Sequence, residues 1–102
     1  MLKRYLPMFL CLFAAHAIAS DDRLASLKAG QRGDIKKLID RLAGCTHWSS
    51  EEPYDAQRKV EISSAMKDLR CDRLEKDEAA AQKRYAKRPK VLKVLQRAKE
   101  QS

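Results

Sequence analysis

Gly33-Asp34-Ile35-Lys36-Lys37-Leu38-Ile39-Asp40-Arg41-Leu42-Ala43-Gly44-Cys45 is the stretch that decides the fold class. Ile35, Leu38, Ile39 and Leu42 recur at i, i+3, i+4 and i+7, the spacing that lines one face of an α-helix. Asp34 stands where an N-cap is expected, and Gly44 where a helix ends. The pattern predicts one amphipathic helix from Asp34 to Gly44, with a cysteine just beyond its end.

Reading outward toward the N-terminus, Gly30 to Gly33 makes a turn, and a short helix capped by Asp21 or Asp22 runs to about Ala29. Toward the C-terminus, Cys45-Thr46-His47-Trp48-Ser49-Ser50-Glu51-Glu52-Pro53-Tyr54 is the least helical part. Ser49 or Ser50 is expected to start a third helix, with Glu51 and Glu52 set against its N-terminal dipole. Its inward stripe is read as Tyr54, Arg58, Ile62, Ala65, Met66 and Leu69. Asp72 with Glu75 resembles a capping box for a fourth helix. Leu74, Ala81 and Tyr85 share a face of it, with Glu78 intruding. Pro89 ends that helix near Arg88 and can itself open a last one. The last helix, about 90–99, has a stripe of Val91, Leu92, Leu95 and Ala98. Sustained period-2 alternation occurs nowhere. The expected fold is all-α: a small bundle of four to five short helices stapled by one disulfide.

The chain has 102 residues, enough for a single small domain and too few for a doubly wound nucleotide enzyme or a TIM barrel. Lys3 and Arg4 followed by apolar Leu6–Ala15 and Ala17-Ile18-Ala19 have the three parts of a secretory signal peptide. Cleavage is expected after Ala19, which makes residues 1–19 a leader and residues 20–102 one helical domain, periplasmic or secreted. Cys11 has no small residue before it and is not read as a lipoprotein cysteine.

Export leaves two cysteines, Cys45 and Cys71, in an oxidising compartment, and one intramolecular disulfide between them is the economical reading. The rival is a metal held by Cys45, His47 and Cys71. That set supplies three ligands and lacks the paired spacing of structural zinc sites. No metal and no cofactor is expected.

Losing Lys3 and Arg4 with the leader takes the net charge from +8 to +6. Ser20–Gln82 carries −1, and Lys83–Ser102 carries +7. The basicity therefore belongs to Lys83, Arg84, Lys87, Arg88, Lys90, Lys93, Arg97 and Lys99. Such a segment is either a solvated basic face over a docked apolar stripe, or an amphipathic helix for anionic lipid or lipopolysaccharide. Aromatic residues stop at Tyr85, so base stacking is poorly provided for and a specific nucleic-acid partner is not expected.

Catalytic signals are sparse. His47 has no local nucleophile–acid partnership, and Glu51 and Glu52, adjacent at a helix start, diverge around the axis. A Gly-rich phosphate loop is missing from the sequence. The expectation is a protein that is not an enzyme. Trp48, the sole tryptophan, either packs over the disulfide or joins His47 in a stapled contact loop for a partner.

Cys45-Thr46-His47-Trp48, then Glu51-Glu52-Pro53-Tyr54-Asp55 with Arg58, then Cys71, Leu74, Asp77 and Tyr85 resemble the cysteine-anchored helical domain of the lysozyme-inhibitor LprI family, which are small exported bacterial proteins. The resemblance spans about Asp34 to Ala98. Better-known members carry an Ala-Gln-x-x-Trp helix and a further cysteine late in the chain. Here that end reads Leu95-Gln96-Arg97-Ala98-Lys99, so the likeness is to the N-terminal-type module. It implies a protein partner in the cell envelope, of the lysozyme or cell-wall hydrolase class. His47, Trp48, Glu51, Glu52, Tyr54 and Asp55 would then form the contact face. Lysozymes of the common animal type are basic, so Glu51 and Glu52 would face the partner and the basic end would point away. The alternative is an envelope-surface protein that uses the basic C-terminal helix on anionic lipid or lipopolysaccharide.

Overall fold

A computed structural model describes residues 22–101. The leader, its cleavage site and the expected Asp21 cap lie outside them. Five α-helices are present among the described residues, and no strand: α1 (22–28), α2 (Gly33–Ser49), α3 (Ala56–Asp68), α4 (Leu74–Arg84) and α5 (Pro89–Gln101). A 3₁₀ turn, Cys71–Arg73, leads into α4. None of these helices is long and apolar enough to cross a membrane.

The expected stripe of α2 is the core. Ile35, Leu38, Ile39 and Leu42 are all buried, and Ile39 is wholly inaccessible. Ala81 and Tyr85 pack on them from α4 and its cap, and Leu95 and Ala98 from α5. Leu24 and Leu27 of α1 line the same cluster, with Leu74, Val91, Leu92 and Val94. α4 runs antiparallel to α2: Asp34 meets Tyr85 at the end of α4, and Arg41 meets Asp77 near its start. α5 packs against α2, and near its end Lys99 Nζ lies 3.1 Å from Glu78 Oε2 of α4. Glu78 is the charge expected to intrude on this face, and it is buried. Its contact with Lys99 is an ion pair by distance, without hydrogen-bond alignment.

α3 stands apart. It has no buried residue and contributes none to the core cluster. Arg58, Ile62, Ala65, Met66 and Leu69 of its expected stripe are half-buried, whereas Tyr54, expected on the same stripe, precedes the helix and is 80% exposed. Two devices tie it down. The Cys45–Cys71 disulfide joins α2 to the 3₁₀ turn. Arg41 donates from Nε to the Leu69 carbonyl at 2.8 Å and from Nη2 to the Arg70 carbonyl at 2.9 Å, while Nη1 pairs with Asp77 at 2.9 Å. A guanidinium on carbonyls at a helix C-terminus also opposes that end's partial negative charge.

Several local expectations give way. α2 does not stop at Gly44 but continues to Ser49. The glycine lies where the end of α3 crosses: a Cβ on Gly44 would be 2.8 Å from Leu69 Cδ1, and that leucine side chain would have to shift. Ser49 and Ser50 do not start α3. Their hydroxyls donate to the carbonyls of Thr46 and His47 and close α2. Asp55 caps α3 by accepting the Arg58 N–H at 2.7 Å, so Glu51 and Glu52 lie in the connection and not on the first turn. No capping box forms at Asp72, because the chain enters α4 through the 3₁₀ turn from Arg70, whose φ of 53° is left-handed. α4 ends at Arg84, four residues earlier than Arg88. α2 begins at Gly33 after Arg32, which leaves Asp34 inside the first turn. Asp22 is already helical rather than a cap.

Asp34 instead accepts the Tyr85 hydroxyl at 2.8 Å and pairs with Arg84 at 3.0 Å. The Tyr85 hydrogen bond holds the carboxyl below its ordinary range against a smaller opposing effect of burial, with the Ile35 N–H and Arg84 adding to the lowering. The same bond, helped by burial, pushes the Tyr85 phenol up. A depressed acid contributes stability above its unfolded pKa and loses it as pH falls through the folded value. A raised phenol contributes below its unfolded pKa and loses it as pH rises through the folded value. The bond therefore stabilises between the carboxylate and tyrosine ranges. Tyr85→Phe is expected to melt below wild type at neutral pH, with the gap closing as pH falls through the carboxylate range. Thermal melts of both proteins across that range check it.

Candidate functional site

The elbow between α2 and α3 gathers most of the expected contact residues. Continuation of α2 through Cys45–Ser49 puts His47 and Trp48 on its last turn, a rigid helix end and not a loop. Cys45 anchors this turn covalently. The His47 and Trp48 rings meet edge to face, with centroids 5.1 Å apart and planes at 80°. The Arg58 guanidinium, from the first turn of α3, lies over the Trp48 ring at 5.1 Å from its centroid. Cation–π attraction and the Arg58 stem together cover a half-buried indole.

Arg58 is the organiser of the elbow. Its Nη2 pairs with Glu51 Oε1 at 2.6 Å and its Nη1 with Glu61 Oε1 at 3.2 Å. The bond from Arg58 holds the Glu51 carboxyl below its usual range against some desolvation, with the charges of Arg58 and His47 adding to it. Glu51 in turn raises Arg58, and Glu61 adds to the effect. His47 Nε2 stands 4.0 Å from Glu51 Oε2. Sequence reading placed Arg58 on the inward stripe of α3, and its hold on Trp48 and Glu51 was not visible there. The signal that bears on it is the Asp55-x-x-Arg58 cap, which fixes where α3 starts.

The six expected residues divide. His47, Trp48 and Glu51 form one locked group with Arg58. The Asp55 carboxylate is spent on the α3 cap. Glu52 is exposed and in no ion pair among the described residues, and Tyr54 is 80% exposed. Val60, in the second turn of α3, is 66% exposed. Because Trp48 is the chain's one tryptophan, Arg58→Ala can be read directly. Its emission is expected to shift red and to become more accessible to a soluble quencher, with helicity unchanged.

The eight basic residues of the C-terminal segment do not form one free surface. Arg84 is paired with Asp34, and Lys99 with Glu78. Lys83, Lys87, Arg88, Lys90, Lys93 and Arg97 are exposed. The α5 stripe faces the core, with Leu95 at 1% and Ala98 at 3% exposure. Of the two readings of this helix, the docked one describes its apolar side.

Both thiols are consumed by the disulfide, so the Cys45–His47–Cys71 metal reading has no thiolate to offer. Among the described residues no group of three or more His, Cys, Asp or Glu side chains is arranged to hold a metal ion. Comparison of the chain with family models, with curated proteins and with solved structures gives no match.

Proposed function

We propose that this chain is an exported, non-catalytic protein-binding domain of the LprI-like type, and that its α2–α3 elbow docks on a cell-wall hydrolase of the lysozyme class. The observation that carries the reading is α3 itself. A helix of 13 residues that buries nothing in the core is nonetheless tied down at its C-terminal end by a disulfide and by two hydrogen bonds from Arg41. Its inward stripe is only half-buried against α2, and a rigid binding edge accounts for the fastening beyond that packing. On that edge Tyr54 and Val60 are exposed, and Glu52 offers an unpaired carboxylate. Locked neighbours reduce the ordering cost of association, and an exposed aromatic is a strong anchor.

Charge supports the same orientation. Glu51, Glu52 and Glu61 lie at the elbow beside one arginine, Arg58, while Arg32, Lys87, Arg88 and Lys90, in no ion pair among the described residues, lie together near the start of α5. A basic hydrolase would be steered to the acidic elbow.

The test is muramidase activity of basic and acidic lysozymes with and without excess oxidised protein. Slowed lysis by the basic enzyme is expected. Tyr54→Ala combined with Glu52→Lys should weaken inhibition roughly 30-fold or more, at an unchanged melting temperature. Absence of protection from either lysozyme overturns the hydrolase reading.

A further inference from the structure

The other end of α2 carries a different kind of site. The turn after α1 and the turn before α5 face each other across a cleft of about 450 Å³. Arg32 enters it from the first turn, and Lys87, Arg88 and Lys90 from the second, over a floor that includes Ile35 and Val91. No carboxylate lines it. None of the four cations is in an ion pair among the described residues. Some cations elsewhere are paired: Arg41 meets Asp77, Arg58 meets Glu51, Arg84 meets Asp34 and Lys99 meets Glu78. Here four positive groups line one concavity with no carboxylate in its walls.

We propose that this cleft binds phosphate groups, those of headgroups on an anionic lipid surface. Two arginines with forked donors and two lysines acting as point charges suit tetrahedral phosphate oxygens. The choice of a lipid surface rests on what surrounds the cleft. Lys83 lies one turn before Lys87, and Lys93 one turn after Lys90, both exposed. The positive field thus extends past the cleft on both sides. An array of headgroups would engage all of it, while one small phosphate would fill the cleft alone. The apolar stripe of α5 is committed to the core, so attachment is electrostatic and not insertion. Since α2 has 17 residues, the elbow and the cleft lie about 25 Å apart along it. A surface-bound molecule would hold the elbow outward. The cleft does not depend on what the elbow binds.

The experiment measures sedimentation of the full oxidised protein with vesicles of phosphatidylcholine alone or containing phosphatidylglycerol. In parallel, amide shift changes on adding inorganic pyrophosphate are followed at Gly30, Gln31, Arg32 and Lys90. Binding is expected only to the anionic vesicles, and it should vanish between about 0.1 M and about 1 M salt. Each surface cation contributes on the order of 1 kcal/mol, or fivefold, so Arg88→Gln with Lys90→Gln should weaken binding about 30-fold. Lys59→Gln with Lys67→Gln removes the same charge from α3 and should cost far less. Pyrophosphate shifts at the cleft that Arg88→Gln with Lys90→Gln abolishes, without vesicle binding, would keep the phosphate site and overturn its lipid source. Equal losses in the two double variants, or no binding in either arm, would overturn the site.

Discussion

Ile39→Ala is expected to lower the melting temperature by roughly 20 °C, from a loss of about 3 kcal/mol. Ile39 has no accessible surface, and it sits at the middle of the α2 stripe on which α1, α4 and α5 converge. Truncation removes three carbons from that packing. The cavity cannot collapse easily, because three separate helices would have to move at once. The core is also small, with eight buried members, so one side chain is a large share of it. Calorimetry or far-UV circular dichroism melts of the oxidised variant decide the matter. A drop of only a few degrees would mean that the cluster is not the stabilising core. Val60→Ala serves as the contrast: Val60 is exposed and should change little.

Removal of the disulfide, by reductant or by Cys45→Ala with Cys71→Ala, is expected to act unevenly. The crosslink closes a sequence separation of 26, for which the chain-entropy model gives about 3.5 kcal/mol. The melting temperature should fall by roughly 20 °C. The fold itself should persist at room temperature. The packed cluster is drawn from α1, α2, α4 and α5, and the link lies between α2 and the end of the α3 segment. Without it, α3 is held by the Arg41 bonds, the Arg58–Glu51 pair and a half-buried stripe. Hydrogen exchange should therefore show α3 amides losing protection first, while α2 and α5 keep theirs. Arg41→Ala in the reduced protein should lower the protection of α3 further. Uniform loss of protection through every helix on reduction would show that the crosslink sustains the core. The composition of so short a chain suggests the whole bundle depends on the link. The structure assigns that dependence chiefly to α3.

The places where local reading succeeded and failed have a common logic. The α2 stripe, the half-buried α3 stripe, the intruding Glu78 and the opening of α5 at Pro89 were all legible. Each follows from 3.6-residue periodicity or from the fixed φ of proline, properties of a short window. Gly44 was misread because the side chain it packs against is that of Leu69, 25 positions away in sequence. Ser49, Ser50 and Asp72 were misread because capping residues look alike at either end of a helix. Which carbonyl or N–H they meet depends on where the chain turns.

At the candidate sites the balance differs. His47, Trp48 and Glu51 were singled out together, and the elbow does assemble them. Arg58 as their organiser, Arg41 as the clasp on α3 and Arg32 as the fourth cation of the basic cleft were not found. Arg32 and Lys87 are 55 positions apart, and only the packing of α5 and α1 against α2 sets one opposite the other. The amino-acid order alone settles which segments coil into helices, which faces of them are apolar and where charge accumulates. The folded arrangement settles which charges are cancelled, which stay bare in a cleft, and that the crosslink serves a helix outside the core. Helix formation and amphipathicity arise from neighbours within a few residues, whereas ion pairing and clefts arise between side chains that only the burial of α2 brings into range.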